Sequence, residues 1–121
     1  MTAEALARAV KVDLLRLTGQ EGDPARALDL AAQAVKRFPD FAPAHSARAF
    51  VLNVAGKRDE AIAEMDQTIG LDPTHGPWYL QRAELYSEGH ALAEAGADLD
   101  KAKALGVKLN PELERKLRGG R

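Results

Sequence analysis

The chain contains no cysteine. Disulfides, thiolate metal sites and cysteine nucleophiles are therefore excluded at the outset. Aromatic residues are scarce, with three Phe, two Tyr and one Trp, so large rings cannot fill the core. An excess of charge of either sign is also missing. Seventeen basic and 18 acidic residues leave a net charge of −1, which disfavours a general electrostatic grip on nucleic acid or anionic lipid. No apolar run approaches the roughly 20 residues that a membrane helix needs. The first nine residues, interrupted by Glu4 and Arg8, do not read as a signal peptide. Alanine and leucine are abundant, at 23 and 16 of 121 residues. Both stand high in helix propensity, and few β-branched residues compete with them. An apolar content of 45% suffices for a core, which must come from close helix packing and not from bulk. These features predict an all-α, cytoplasmic chain of one domain.

Internal repetition decides the architecture. Three segments align at a spacing of 34 residues: Gly22–Leu28, Gly56–Ile62 and His90–Gly96. Ala27, Ala61 and Ala95 fall 34 apart, as do Ala31, Met65 and Leu99, then Ala34, Thr68 and Ala102, and the pair Pro39 and Pro73. A period shared by several independent columns marks a repeat protein. Each unit reads as two helices. First helices are expected over roughly 3–18, 43–55 and 77–88, with Pro43 and Pro77 near their starts. The second helix of the first unit opens with Asp23 as N-cap and Pro24 in the first turn, where a missing N–H costs nothing. Its apolar face is Ala27, Ala31, Ala34, Val35 and Phe38, and Pro39 stops it. In the second unit Ala61, Ile62, Met65 and Ile69 form the corresponding face. Gly56 and Gly89 sit where the chain must turn back. Asn110-Pro111 predicts a final helix that covers the open end through Leu113 and Leu117. The closing Gly119-Gly120-Arg121 is expected to be disordered.

Each helix pair is apolar on more than one side, so the units must stack to bury themselves. Alanine at the crossings lets helix axes approach near the short end of the usual 8–10 Å range.

On these residues the chain resembles the tetratricopeptide repeat (TPR) family. The second unit carries Ala49, Leu52, Ala61, Met65, Thr68 and Pro73 at the patterned positions, and the third Tyr79, Ala83, Tyr86, Ala95, Leu99 and Ala102. The first unit matches in its second half, through Ala27, Ala34 and Pro39, whereas Leu15 stands where a small residue is usual. Gly96 and Val107 are departures in the second helix of the third unit. The resemblance implies an α-solenoid of antiparallel helix pairs, about seven helices in a right-handed superhelix. One domain over 1–121 would hold repeats at about 8–41, 42–75 and 76–109 and a capping helix at about 110–118.

The resemblance further implies a concave groove lined by the first helices. Carried over by position, its residues are Val12, Asp13 and Arg16; Ser46, Ala47, Phe50, Asn53 and Val54; and Leu80, Gln81, Glu84, Ser87 and Glu88. Phe50 is notable because stacking does not demand an aromatic there. With Val12, Val54 and Leu80 it would form an apolar seat, while Arg16 and Glu84 in the same column would orient a bound segment. The competing reading makes Phe50 a filler between helices. In the family subgroup that clamps acidic chaperone tails, the matching positions here are Val12, Arg16, Ala47, Pro77 and Gln81. Only Arg16 is basic, which argues against that role. Trp78 is either a secondary partner contact or a wedge within the stack, and Tyr79 is expected in the core.

Catalytic and metal signals are absent. His45, His75 and His90 lack the spacing that brings two ligands onto one helix face. His45 is expected at the helix interface, and the other two at turns. No phosphate loop or nucleophile elbow occurs, so the chain reads as a non-enzyme without metal or cofactor. The expected function is a protein-interaction adaptor holding a peptide or helical segment of a partner protein, without nucleic acid or membrane. The alternative is a self-associating scaffold and weak homo-oligomer, favoured by the strip Leu6, Val10, Leu14 and Leu17. RNA binding, as in related helical repeats of slightly longer period, is opposed by both the period and the charge.

Overall fold

The computed structural model describes residues 24–120 together with Thr2, Glu4 and Ala5. Among these residues the chain is all-helical, with six helices: α1 (Pro24–Arg37), α2 (Ala42–Val54), α3 (Arg58–Leu71), α4 (Gly76–Glu88), α5 (Leu92–Ala104) and α6 (Pro111–Leu117). The expected helix over 3–18 lies, apart from Glu4 and Ala5, outside the described residues. The chain forms two compact units, Met1–Leu71 and Asp72–Arg121. In the first, α2 packs against both α1 and α3; in the second, α4 packs against α5, and α6 rests on both. The fold class is the antiparallel helix pairing of an α-solenoid.

The 34-residue columns are the innermost positions. Ala27, Ala31 and Ala34 of α1, Ala61, Met65 and Thr68 of α3, and Ala95, Leu99 and Ala102 of α5 all have 0% exposure. In α1 the stripe of small side chains meets Ala47, Val51 and Ala44 of α2, with Val35, Phe38 and Phe41 closing one end. Thr68 keeps its hydroxyl satisfied in this interior by donating to the Glu64 carbonyl at 2.9 Å. In the second unit Ala83, Leu99 and Leu117 form the core, joined by Leu80 and Leu109.

The helix ends follow one rule with one exception. After α2, Gly56 takes φ 80° and donates to the Asn53 carbonyl, while Lys57 N–H reaches back to Leu52. This is a Schellman turn, which needs a left-handed residue just past the helix. The same pair of bonds closes α5 at Gly106 and α6 at Gly119. Gly119 and Gly120 are thus held by bonds to Lys116 and Arg115, correcting the expectation of a disordered end at those two positions. At the end of α4 the left-handed residue is not the expected Gly89, whose φ is −87°. It is His90, at φ 61°, the residue 34 positions after Gly56.

Gly96 does not interrupt α5, which runs unbroken, and the missing side chain makes room beside the Arg118 guanidinium. Asn110 caps α6 as expected, its side-chain oxygen accepting from the N–H groups of Glu112 at 2.8 Å and Leu113 at 3.4 Å.

Candidate functional site

A repeated polar lattice ties each first helix to its partner. In the first unit Arg48 pairs with Glu64 across α2 and α3, and His45 Nδ1 lies 2.9 Å from the same carboxylate. His45 Nε2 faces the Pro39 carbonyl at 2.7 Å and must donate to it. In the second unit Arg82 grips Asp98 with two parallel bonds of 2.7 and 2.8 Å, and Tyr79 OH donates to the Pro73 carbonyl at 2.8 Å. Every member lies 34 residues from its counterpart. His45 and Tyr79 do the same job, and both are buried as expected. Arg82 also lies over the rings of Tyr79 and Tyr86. This lattice was visible in the sequence as Arg48/Arg82 and Glu64/Asp98, charged columns easily mistaken for a solvated face.

With the interior assigned, the outward positions stand out. On α2, Phe50 and Val54 are one turn apart and 51% and 46% exposed. Ser46 and Ala47, also expected to line the groove, are buried instead, Ala47 within the α1–α2 core. Asn53 is half-buried. On α4, Glu84 is exposed, Gln81 is half-buried, and Leu80 leans into the Ala83–Leu99–Leu117 core. Val12, Arg16 and Asp13, and the strip Leu6, Val10, Leu14 and Leu17, lie outside the described residues. Trp78 is half-buried, with its ring centroid 4.4 Å from that of His75. Its indole nitrogen is enclosed and has no hydrogen-bond partner among the described residues.

The second unit also contains a cleft of about 560 Å³ between α4 and α6. Glu84, Ser87 and Glu88 form one wall, His90 the rim, and Leu113, Lys116 and Leu117 the other side. The Glu84 carboxyl is pushed above the ordinary glutamate range, first by partial burial and then by the neighbouring charge of Glu88. His90, Leu113 and Lys116 were not among the expected site residues. The usable signal was the histidine standing in the column of Gly56. Among the described residues, no three acidic or imidazole groups gather as metal ligands, and no helix is long and apolar enough to cross a membrane.

Paired helices, a small-residue interior repeating every 34 residues and exposed side chains on the first helices define a helical repeat protein. Residues 20–79 match the family model described as "Tetratricopeptide repeat", and the chain belongs to that family. Solved structures share the fold. The first TPR of Spaghetti (RPAP3), bound to the HSP90 peptide SRMEEVD, has a TM-score of 0.79 at 19% identity, over 97% of this chain and 88% of that one. The TPR2B domain of yeast Sti1, in its pHsp70 complex, has a TM-score of 0.77 at 24% identity over 97% and 99%. The type III secretion chaperone SycD of Yersinia enterocolitica, in complex with a peptide of the translocator YopD, has a TM-score of 0.72 at 16% identity over 98% and 90%. No curated protein matches the sequence.

Proposed function

We propose that this chain is a non-catalytic protein-interaction module that holds a segment of a partner protein along the first helices of its units. The repeats at 8–41, 42–75 and 76–109, closed by the helix at 110–118, would act together as one binding domain. The observation that carries this reading is the outward pair Phe50 and Val54, an apolar patch on a helix whose opposite side is fully used by the core. Exposed aromatics supply contact area at low entropic cost and are enriched at binding hot spots. Asn53, Gln81 and Glu84, with Val12 and Arg16, would set the direction and polarity of the bound segment, with Leu80 adding apolar area. Trp78 ranks as a secondary contact at most, because its polar atom is enclosed.

The RPAP3, Sti1 and SycD structures carry peptides or peptide complexes, which supports the interaction reading in general. They do not transfer their ligands. At the positions matching the acidic-tail clamp, Ala47, Pro77 and Gln81 offer no cation. A partner other than an acidic chaperone tail is favoured.

The test is capture of partners from native lysate by the wild-type chain and by Phe50→Glu, after circular dichroism has shown the variant to be helical. A partner retained by the wild type and lost by the variant supports the reading. Equal retention moves the contact off α2. Recovery of the chain alone, with a mass that rises with concentration, favours the self-associating scaffold.

A further inference from the structure

We propose that the cleft between α4 and α6 receives a lysine or arginine side chain of the bound segment, which makes the partner basic at that point. This rests on the interaction reading above and specifies its chemistry. Three features of the cleft converge on a cation with an aliphatic stem. The first is charge: its walls carry two carboxylates, Glu84 and Glu88, against one ammonium, Lys116. The two carboxylates are one turn apart on the same helix, and such like-charge pairs repel. The upward displacement of the Glu84 carboxyl by burial and by Glu88 agrees with that placement.

The second is position on the helix. Glu84 and Glu88 stand toward the C-terminal end of α4, where the helix dipole favours a cation and disfavours an anion. Helices α1 and α5 place Lys36 and Arg37, or Lys101 and Lys103, in their last turns; α4 has no basic residue there. An incoming ammonium or guanidinium would relieve both the repulsion and the unfavourable dipole. The third is shape. Leu117 is buried and Leu113 is 40% exposed, and both line the cleft opposite the carboxylates. A lysine or arginine stem buries methylenes against such a surface while its head stays with the charges. An acidic side chain would meet the two glutamates and gain only Lys116.

The experiment uses the full chain labelled with ¹⁵N and three blocked pentapeptides, Ac-Ala-Ala-X-Ala-Ala-NH₂ with X as lysine, norleucine or glutamate. The lysine peptide is expected to shift the amides of Ser87–His90 and Leu113–Leu117 saturably. The norleucine peptide should not shift them at equal concentration. Glu84→Gln and Glu88→Gln should each weaken the lysine effect about five- to tenfold while leaving the remaining spectrum in place. Equal shifts with norleucine, stronger shifts with glutamate, or no saturable shift with lysine would each overturn the proposal. Phe50→Glu should leave the lysine shifts intact. Loss of partner capture by Phe50→Glu alone therefore reports on the interaction reading, and loss of the lysine shifts reports on the cleft.

Discussion

At the scale of single residues, the least expected feature is a histidine in the left-handed region. An L-residue with a Cβ is disfavoured there by roughly 1–2 kcal/mol relative to its right-handed form. Histidine is among the residues that tolerate the region better than most, and the Schellman bonds of His90 and Ala91 hold it there. His90→Gly should stabilise the chain by about 0.5–1 kcal/mol, read as a higher urea midpoint at unchanged slope. Glu84 makes a prediction of a different kind. Its folded pKa lies above the unfolded one, so folding takes up a proton between the two values. Stability should rise as pH falls from neutral through the folded value, and the effect is complete below the unfolded value of about 4.3. Glu84→Gln should therefore raise the melting temperature at pH 7 and give no gain below about pH 4. Neither effect was legible from the sequence alone. The period marks His90 as the counterpart of Gly56, but the sign of its φ and the desolvation of Glu84 are set by neighbours brought close in space.

At the scale of elements, the helices were legible because propensity, proline position and the 34-residue columns agree. The starts of α2 and α4 beside Pro43 and Pro77 and the cap at Asn110 came out within a residue or so of expectation. Losing the side-chain cap in Asn110→Ala should cost about 1 kcal/mol, seen as earlier melting and faster amide exchange in α6. Where the sequence misled was at Ser46 and Ala47. Both were assigned to the open face and both are buried, because α2 is covered on two sides by α1 and α3. The charged columns were the complementary blind spot. Asp98 is 5% exposed and held by the Arg82 fork, so Arg82→Ala should destabilise by about 2–3 kcal/mol, leaving a buried charge without its partner. The double variant with Asp98→Ala should recover part of that loss, as urea titrations would show. Glu114 works in the opposite sense from Glu84. The hydrogen bond from Lys103 holds its carboxyl below the ordinary range, so the tie it makes between α5 and α6 weakens on acidification.

At the scale of the whole molecule, function depends on what the helices leave uncovered. Core positions repeat from unit to unit because every pair solves the same packing problem. Outward positions do not repeat. The equivalent of Phe50 in the next unit is Glu84, and that of Val54 is Glu88. Partner choice would then lie in the non-repeating residues, apolar on α2 and acidic on α4. Phe50→Glu is expected to leave the helical content unchanged, since half of the ring is already in solvent, and to reduce partner binding by tenfold or more, on the order of a hot-spot truncation. Circular dichroism and a binding titration against the captured partner check the two halves of that prediction separately.

The sequence by itself determined the period, the helix pairs, the proline-marked starts and the small-residue interior. All of these depend on local propensity and on a column pattern that one dimension can display. Only the tertiary structure decided which charged residues turn inward as Arg82 and Asp98 do, which groove candidates are buried, and that Glu84, Glu88, His90, Leu113 and Lys116 share one cleft. Those outcomes depend on desolvation and on distances between residues far apart in the chain. Both arise when helices pack, and no spacing along the sequence encodes them directly.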